Sequence, residues 1–329
     1  MGESMGAKDP TKPREKTPAA VWLLVTLLIA ELFYAGIKTG GFSLPIDRLP
    51  WGLLVPAMTA FCIIHSWLLL GKARAFALFG CAVVLSFCFE WVGEVTGVIF
   101  GPYYYTDVLG WKIGGKIPAL IPFAWYMMFY PSYIIGNLLG EGGPISKRTG
   151  WVQIVWLSLL SAGVMTAWDL TMDPVMSFDD GGRDAAIPDS ADVGTPAWVW
   201  IGGGPHFGVP FKNYFGWMLT AFTVFLAYRF IETKLPDAPA HGMCSRVMIA
   251  LPVGGYMIMA LVNTWLGYPE IEGLRLISPF SMGIPAFFAA YQLFANRTDL
   301  PLWPNEPHDG HPPPRPGTGP VDGMTEHGR

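Results

Sequence analysis

The chain has 329 residues, of which 52% are hydrophobic and only 14% are charged. An average soluble domain is about a quarter charged, so this composition, with a mean hydropathy of +0.37, excludes an ordinary soluble domain. The net charge of -4 argues against a nucleic-acid partner, because such proteins neutralise phosphates with clustered basic side chains.

Eight segments are long and apolar enough to span a membrane, which takes about 20 mostly apolar residues. In chain order they are residues 19–37, 52–70, 75–99, 117–139, 151–172, 214–231, 247–266 and 279–295. The predicted fold class is therefore all-α, a polytopic transmembrane helix bundle of about eight spans. Residues 19–296 form the expected transmembrane catalytic domain.

The distribution of Lys and Arg predicts the orientation, because these residues favour the cytoplasmic side. With the N-terminus inside, fourteen of the 21 Lys and Arg residues fall on the inner side of the eight spans. Both termini are therefore predicted to be cytoplasmic, in a multi-pass protein of the cell membrane. Residues 1–18 are expected to be a polar, basic tail that precedes a retained first span rather than a cleaved signal.

Two regions outside the spans have biased compositions. The outer loop, residues 174–213, is long enough to suggest a function of its own. Its acidic part, residues 177–194, is predicted to be flexible, and its aromatic, glycine-rich part, residues 198–217, to be an ordered lid or re-entrant segment. Residues 297–329 are rich in Pro and Gly and are predicted to be disordered.

Carboxylates inside predicted spans are the main functional signal, because a charge at membrane depth costs at least a few kcal/mol. The five candidates are Glu31, Glu90, Glu94, Asp169 and Asp173. Glu90 and Glu94 are four residues apart, as are Asp169 and Asp173, so each pair lies on one face of its helix. Glu31 is alone and carries less weight. A purely structural role stays open for any single residue, since Asp173 before Pro174 also suits a helix end.

The two acidic pairs are predicted to lie close together. The third and fifth spans both run outward, which places both pairs at a similar depth near the outer side. The turn at residues 100–105 and the aromatic loop at 198–217 emerge on that side as well. Four separate motifs are thus expected to converge on one outer-facing site.

Such a site suits acid–base chemistry on an alkene. A carboxyl group away from water and beside a second carboxyl is expected to hold a proton near neutral pH, and can donate it to a weakly basic substrate. Protonation of an alkene in the bilayer gives a carbocation, which aromatic faces stabilise by about 0.5–2 kcal/mol per contact. An ionised carboxylate can then accept a proton from attacking water.

The predicted roles follow from this chemistry. One member of Glu90 and Glu94 and one member of Asp169 and Asp173 are expected to divide the acid and base roles, in an order that the sequence leaves open. The residues expected to bind the substrate or orient water are Trp91, Tyr103, Trp125, Trp168, His206 and Asn213.

Metal and phosphate chemistry find little support. No two of the six His residues are four apart, which excludes the histidine-rich di-iron sites of membrane hydroxylases and desaturases. The glycines at 202–204 are not followed by the Lys-Ser/Thr of a phosphate loop. Asp179 and Asp180 lack the third acid of a diphosphate-binding magnesium motif, since Arg183 stands in its place. We expect no metal and no cofactor.

Four motifs also resemble a known family. They are E-W-x-G-E-x-T-G-x-x-x-G-x-Y from Glu90 to Tyr103, I-P-x-x-I-P-x-A-W ending at Trp125, W-D-x-x-M-D-P from Trp168, and W-x-W followed by F-G-V-P-x-x-N-x-x-G-W ending at Trp217. In this order they resemble the membrane-bound carotenoid biosynthesis family of carotenoid 1,2-hydratases. The resemblance covers residues 75–217, with weaker agreement in hydropathy to residue 296.

The resemblance implies a hydro-lyase that works in the hydration direction. Members of the family hydrate the terminal ψ-end double bond of acyclic or monocyclic carotenoids, placing a hydroxyl at C1 and a proton at C2 without a redox cofactor. The implied partners are a carotenoid within the bilayer, water and other membrane enzymes of the carotenoid pathway. The acidic stretch 177–194 looks like an insertion, which bears on lid geometry and substrate choice.

Three alternatives remain open on the sequence. A proton-coupled transporter of a lipophilic substrate would also use buried acids, although no inverted repeat of interrupted helices is visible. A non-catalytic carotenoid-binding protein would need the aromatic residues but not the acids. A carotenoid cyclase or isomerase would share the cation but exclude water.

Overall fold

Eight α-helices make up most of the computed structural model, which describes residues 54–147, 150–178, 196–238, 246–265 and 271–295. They are α1 (Leu54–Leu70), α2 (Lys72–Thr96), α3 (Ile121–Glu141), α4 (Trp151–Met176), α5 (Phe211–Glu232), α6 (Arg246–Trp265), α7 (Glu272–Ser278) and α8 (Ile284–Ala295). A short π-helix, Pro279–Gly283, makes α7 and α8 one continuous helical segment.

Within the described residues, four helical segments are long and apolar enough to cross a membrane, so the prediction of a helical membrane protein is confirmed at this level. They are Lys72–Thr96, Trp151–Met176, Phe211–Glu232 and Gly273–Phe294. Two further apolar helices, Val55–Leu70 and Ile249–Leu261, are shorter. The total of eight spans and the orientation stay predictions.

Several sequence predictions fall on residues outside the described part of the chain. These are the first span at 19–37 with Glu31, the tails at 1–18 and 297–329, the Asp179–Asp180 pair and nearly all of the acidic stretch 177–194.

Helix α3 is the centre of the described bundle. It packs against α1, α2, α4, α6 and α8, and every residue from Trp125 to Leu138 is buried. Surrounding helices present large apolar side chains on their outer faces; Phe215 and Phe280, for example, are 77% and 62% exposed. Exposed apolar surface on this scale is unusual for a soluble protein and fits helices that face lipid.

Two helix boundaries differ from the sequence prediction. Helix α4 continues through Asp173 and Pro174 to Met176 instead of ending at 172, and Ser177 N–H still donates to the Asp173 carbonyl at 2.9 Å. Asp173 is therefore inside a helix rather than at its end. Helix α3 begins at Ile121 because the preceding residues Ile117–Pro118 form a strand, β3.

Two small antiparallel sheets lie between the helices. Strand β1 (Tyr103–Tyr105) pairs with β4 (Trp198–Trp200), and β2 (Lys112–Ile113) pairs with β3. The strands β1 and β4 follow α2 and α4 and precede α3 and α5, so they lie at the end of the bundle where these helices meet.

The turn that leads from α2 to β1 is packed tightly against α5. Gly97 ends α2 with a φ of 63°, a left-handed conformation that favours glycine. Phe100 then lies against Gly93 of α2 and Gly216 of α5, where any side chain would collide with its ring. The two glycines therefore allow the aromatic turn to join the ends of two helices.

Candidate active site

A two-stranded sheet places four aromatic side chains over the ends of α2 and α4. Strand β1 carries Tyr103 and Tyr105, and β4 carries Trp198 and Trp200. Alternate residues of a strand point to the same face, and Tyr103 pairs with Trp200 and Tyr105 with Trp198. The ring centroids of these pairs are 5.0 Å and 5.9 Å apart. One face of the sheet thus presents four polar ring groups to the helices.

Glu90 of α2 accepts three hydrogen bonds. The hydroxyl groups of Tyr103 and Tyr105 donate to its Oε2 at 2.6 Å and 2.9 Å. The indole Nε1 of Trp125, near the start of α3, donates to its Oε1 at 2.8 Å. Glu90 is almost fully buried, so these three donors replace water around its carboxyl group.

Asp173 of α4 is held in the same way from the other strand of the sheet. The indole nitrogens of Trp198 and Trp200 donate to its Oδ1 at 2.8 Å and 3.0 Å. The side-chain amide of Asn213, near the start of α5, donates to its Oδ2 at 2.6 Å. The same amide donates to Oδ2 of Asp169 at 2.8 Å. Asn213 therefore bridges the two aspartates.

Asp169 differs from both of these carboxyl groups. Its Oδ2 accepts from Asn213, whereas its Oδ1 is buried and has no hydrogen-bond partner among the described residues. Glu90, Asp169 and Asp173 lie within electrostatic range of one another, and we call these three residues the carboxylate cluster. Within it, Oδ1 of Asp169 is the carboxyl oxygen that has no hydrogen-bond partner among the described residues.

Three tryptophans lie beside the carboxylate cluster. The rings of Trp125 and Trp217 stack with centroids 3.9 Å apart and planes at 16°. Trp168, which directly precedes Asp169, meets the edge of Trp217 at 5.8 Å and 62°. Because the faces of such rings attract cations, this arrangement suits a positive charge that develops next to the carboxyl groups.

The tyrosines of the sheet are suited to act as permanent donors. Burial, followed by the charge of Glu90, raises the pKa of the Tyr103 and Tyr105 phenols well above the ordinary value of 10.0. Both phenols therefore keep their protons at physiological pH and continue to donate to Glu90.

The predicted site residues divide into two groups. Glu90, Asp169, Asp173, Tyr103, Trp125, Trp168 and Asn213 come together at the carboxylate cluster. Glu94 instead forms an ion pair with Lys116 at 2.8 Å. Trp91 is 36% exposed and covers Gly114. Neither Glu94 nor Trp91 has a hydrogen bond to the cluster within the described residues.

His206 occupies the edge of the site. Its Nε2 lies 2.9 Å from the carbonyl oxygen of Leu170, the residue after Asp169. Its ring meets the ring of Tyr214 edge-on, at 5.2 Å and 90°. His206 therefore supports the site through α4 and Tyr214, and it has no bond to a carboxyl group in the part of the chain that the structure describes.

The site residues predicted from the sequence did not include Tyr105, Trp198, Trp200, Tyr214 and Trp217. The first three carried a usable signal, since Y-x-Y and W-x-W place two side chains on one face of a strand. The pairing of those two strands, and the stacking of Trp217 on Trp125, depend on tertiary contacts that a single sequence does not reveal.

Among the described residues, no group of three or more His, Cys, Asp or Glu side chains is placed to hold a metal ion. Aromatic and amide donors instead bond to every oxygen of the carboxyl groups in the carboxylate cluster except Oδ1 of Asp169.

These features define an α-helical membrane protein with a buried acidic site bordered by aromatic rings. Residues 51–181 and 183–277 match the family described as carotenoid biosynthesis proteins. This match covers more than half of the chain, so the chain belongs to that family and the predicted resemblance is confirmed. Membership supports a role in the modification of carotenoids.

The chain is also similar to a protein described as a hydratase. The bisanhydrobacterioruberin hydratase of Haloarcula japonica is 26% identical over 224 residues, which is 66% of this chain and 62% of that protein. The chain thus matches less than two thirds of the length of this relative. No solved structure matches the chain.

Proposed function

We propose that the protein is a carotenoid hydratase, which adds water across the terminal C1=C2 double bond of an acyclic or monocyclic ψ-end carotenoid. The family and the hydratase activity of the relative support this proposal. The observation that carries it is the open, buried oxygen Oδ1 of Asp169 inside the carboxylate cluster. An open carboxyl group beside aromatic faces meets the needs of alkene protonation.

Asp169 is the proton donor in this mechanism. Glu90 and Asp173 accept three hydrogen bonds each, so their oxygens are already occupied. The carboxyl proton of Asp169 passes to C2, and the π electron pair of C1=C2 forms the new C–H bond. C1 becomes a tertiary carbocation, and Asp169 becomes a carboxylate.

The remaining groups stabilise the cation and complete the addition. Glu90 and Asp173 provide negative charge that is fixed in place by their donors, which is the arrangement that lowers a barrier most efficiently. The stacked rings of Trp125 and Trp217 offer a face to the cation. A water oxygen then bonds to C1, and the proton it loses returns to Asp169. The sum is alkene plus water giving a 1-hydroxy carotenoid.

The membrane arrangement belongs to the proposal as well. Eight spans with both termini in the cytoplasm would place the carboxylate cluster toward the outer side of the cell membrane. The long substrate would then lie within the bilayer with its terminal double bond at the cluster.

Expression in a host that makes lycopene tests the proposal. We expect a new pigment that is heavier than lycopene by one water for each end that reacts. Asp169→Asn keeps the shape of the side chain but removes the acid, so hydration should fall by at least about 100-fold.

Glu94→Gln is the matched control, because Glu94 pairs with Lys116 outside the cluster. This variant should keep most of the activity. An unchanged pigment profile with the wild-type chain would reject hydration, and a new product of the same mass as lycopene would favour a cyclase or isomerase. Normal hydration by Asp169→Asn would reject the proposed acid.

A further inference from the structure

Two polar atoms at the site are buried and unpartnered among the described residues. One is Oδ1 of Asp169, and the other is the hydroxyl group of Tyr214. Tyr214 is 9% exposed and Asp169 is 0% exposed. Buried polar atoms nearly always have a hydrogen-bond partner in the protein or in bound water. We therefore expect a bound molecule to form a hydrogen bond with each of these two atoms.

Both atoms belong to the same corner of the site. Tyr214 directly follows Asn213, whose amide holds the other oxygen of Asp169. The Tyr214 hydroxyl lies within electrostatic range of Asp169 and Asp173. Edge-on contact with His206, which is itself held at Leu170, fixes the ring against α4. The two unpartnered atoms therefore belong to the part of the site where α4 packs against α5.

No hydrogen bond joins the two atoms, although the Tyr214 hydroxyl is within electrostatic range of Asp169. A small molecule with both donor and acceptor capacity could contact both, and water has this capacity. The proposed reaction needs one water next to the proton donor. The same corner thus fulfils two requirements of the chemistry, a proton source and a place for the nucleophile.

We propose that Tyr214 and Asp169 together hold the water that attacks C1, with Tyr214 as the water-positioning residue. This inference rests on the proposed hydratase function and names a residue for it. Asp169 gives its proton to C2, and the water lone pair then forms the C1–O bond. The water proton passes to the Asp169 carboxylate, while the Tyr214 hydroxyl keeps its own proton and directs the lone pair.

This assignment has a consequence that separates water positioning from protonation. A tertiary cation either captures water or loses a proton and returns to an alkene. Without Tyr214 to hold the water, protonation by Asp169 continues while capture becomes rare. The cation then reverts, and in heavy water each reversion can leave deuterium on carbon.

One assay measures both fates of the cation, which are the capture of water and the loss of a proton. Membranes with the wild-type chain, Tyr214→Phe, Asp169→Asn or Tyr104→Phe are incubated with lycopene in D2O. Mass spectrometry measures the hydrated product and the deuterium in the recovered lycopene. For Tyr214→Phe we expect hydration to fall by about tenfold or more, with deuterium incorporation equal to or above that of the wild type.

The other two variants are the controls for this result. Asp169→Asn should lose both hydration and exchange, and Tyr104→Phe should behave as the wild type because Tyr104 is 48% exposed. Tyr214→Phe should also unfold at the wild-type temperature, since the hydroxyl has no hydrogen-bond partner to lose among the described residues.

Wild-type hydration by Tyr214→Phe would overturn the inference. Loss of both hydration and exchange in Tyr214→Phe would overturn it too, because a water-positioning role leaves protonation intact. A wild-type chain that neither hydrates nor exchanges would reject the proposed function itself, which is a distinct result.

Discussion

The side-chain amide of Asn213 lies 2.6 Å from Oδ2 of Asp173. The same nitrogen lies 2.8 Å from Oδ2 of Asp169. An amide nitrogen carries two hydrogens, so one residue of α5 donates to both carboxyl groups of α4 at once. This bridge uses one oxygen of Asp169 and leaves the other free, which is why we assign the proton donor to Asp169.

Replacing the bridge should disable the site. Asn213→Asp exchanges the double donor for a fourth carboxyl group, so both aspartates lose their shared partner and gain a like-charged neighbour. We expect hydration to fall by about 100-fold or more, measured as hydrated carotenoid per amount of protein. Phe215→Leu, on the lipid-facing side of the same helix and 77% exposed, should leave hydration unchanged. Normal turnover by Asn213→Asp would show that the bridge is dispensable.

The two glutamates of α2 should behave differently although they are four residues apart. Glu90→Gln removes the charge and places an amide donor among three groups that already donate, those of Tyr103, Tyr105 and Trp125. We expect hydration to fall by about 100-fold. Glu94→Gln breaks only the ion pair with Lys116, whose side chain is 41% exposed. Such a pair contributes about 0–1 kcal/mol to stability, so little change is expected. Equal losses in both variants would contradict the assignment.

Loss of the Tyr103 hydroxyl should lower the rate of hydration but should not change the alkaline limb of the pH profile. Burial and the Glu90 charge raise its pKa well above 10.0, so the phenol remains a donor throughout the accessible alkaline range. Tyr103→Phe removes one of three donors to Glu90, and we expect hydration to fall by about tenfold to 100-fold. Rates measured from pH 6 to about 10 should keep the wild-type profile. An alkaline limb that disappears in Tyr103→Phe would contradict this expectation.

The sequence predicted the helices and the buried acidic residues more accurately than the hydrogen-bond partners of those residues. Hydropathy predicted the positions of α1 to α6 and α8, because an apolar run is a local property. The spacing of Glu90 and Glu94 predicted a shared helix face, but only Glu90 belongs to the carboxylate cluster. The difference arises in the turn after α2, which brings Lys116 to Glu94 and the tyrosines of β1 to Glu90. Pairing of this kind depends on the path of the loop, which no local pattern encodes.

A second buried polar group lies at the opposite end of the bundle. Arg74 of α2 and Glu232 of α5 form an ion pair at 3.7 Å, and both side chains are only 1% exposed. Tyr133 of α3 donates to the same Glu232 oxygen at 2.6 Å. At 1.5 Å per residue, Arg74 is about 24 Å from Glu90 along α2. This group therefore joins three helices far from the proposed chemistry.

Removing one partner of this pair should lower stability without altering the reaction. Arg74→Met removes one member of this buried ion pair, and such a loss costs about 3–5 kcal/mol. We expect a clearly lower thermal unfolding temperature in detergent, while the protein that remains folded gives the wild-type product at the wild-type rate. Lys234→Ala changes an exposed residue just beyond the end of α5 and should shift stability by no more than about 0.5 kcal/mol. An Arg74→Met variant as stable as the wild type would mean that the pair holds no helices together. A changed product would mean that the two ends of the bundle are coupled.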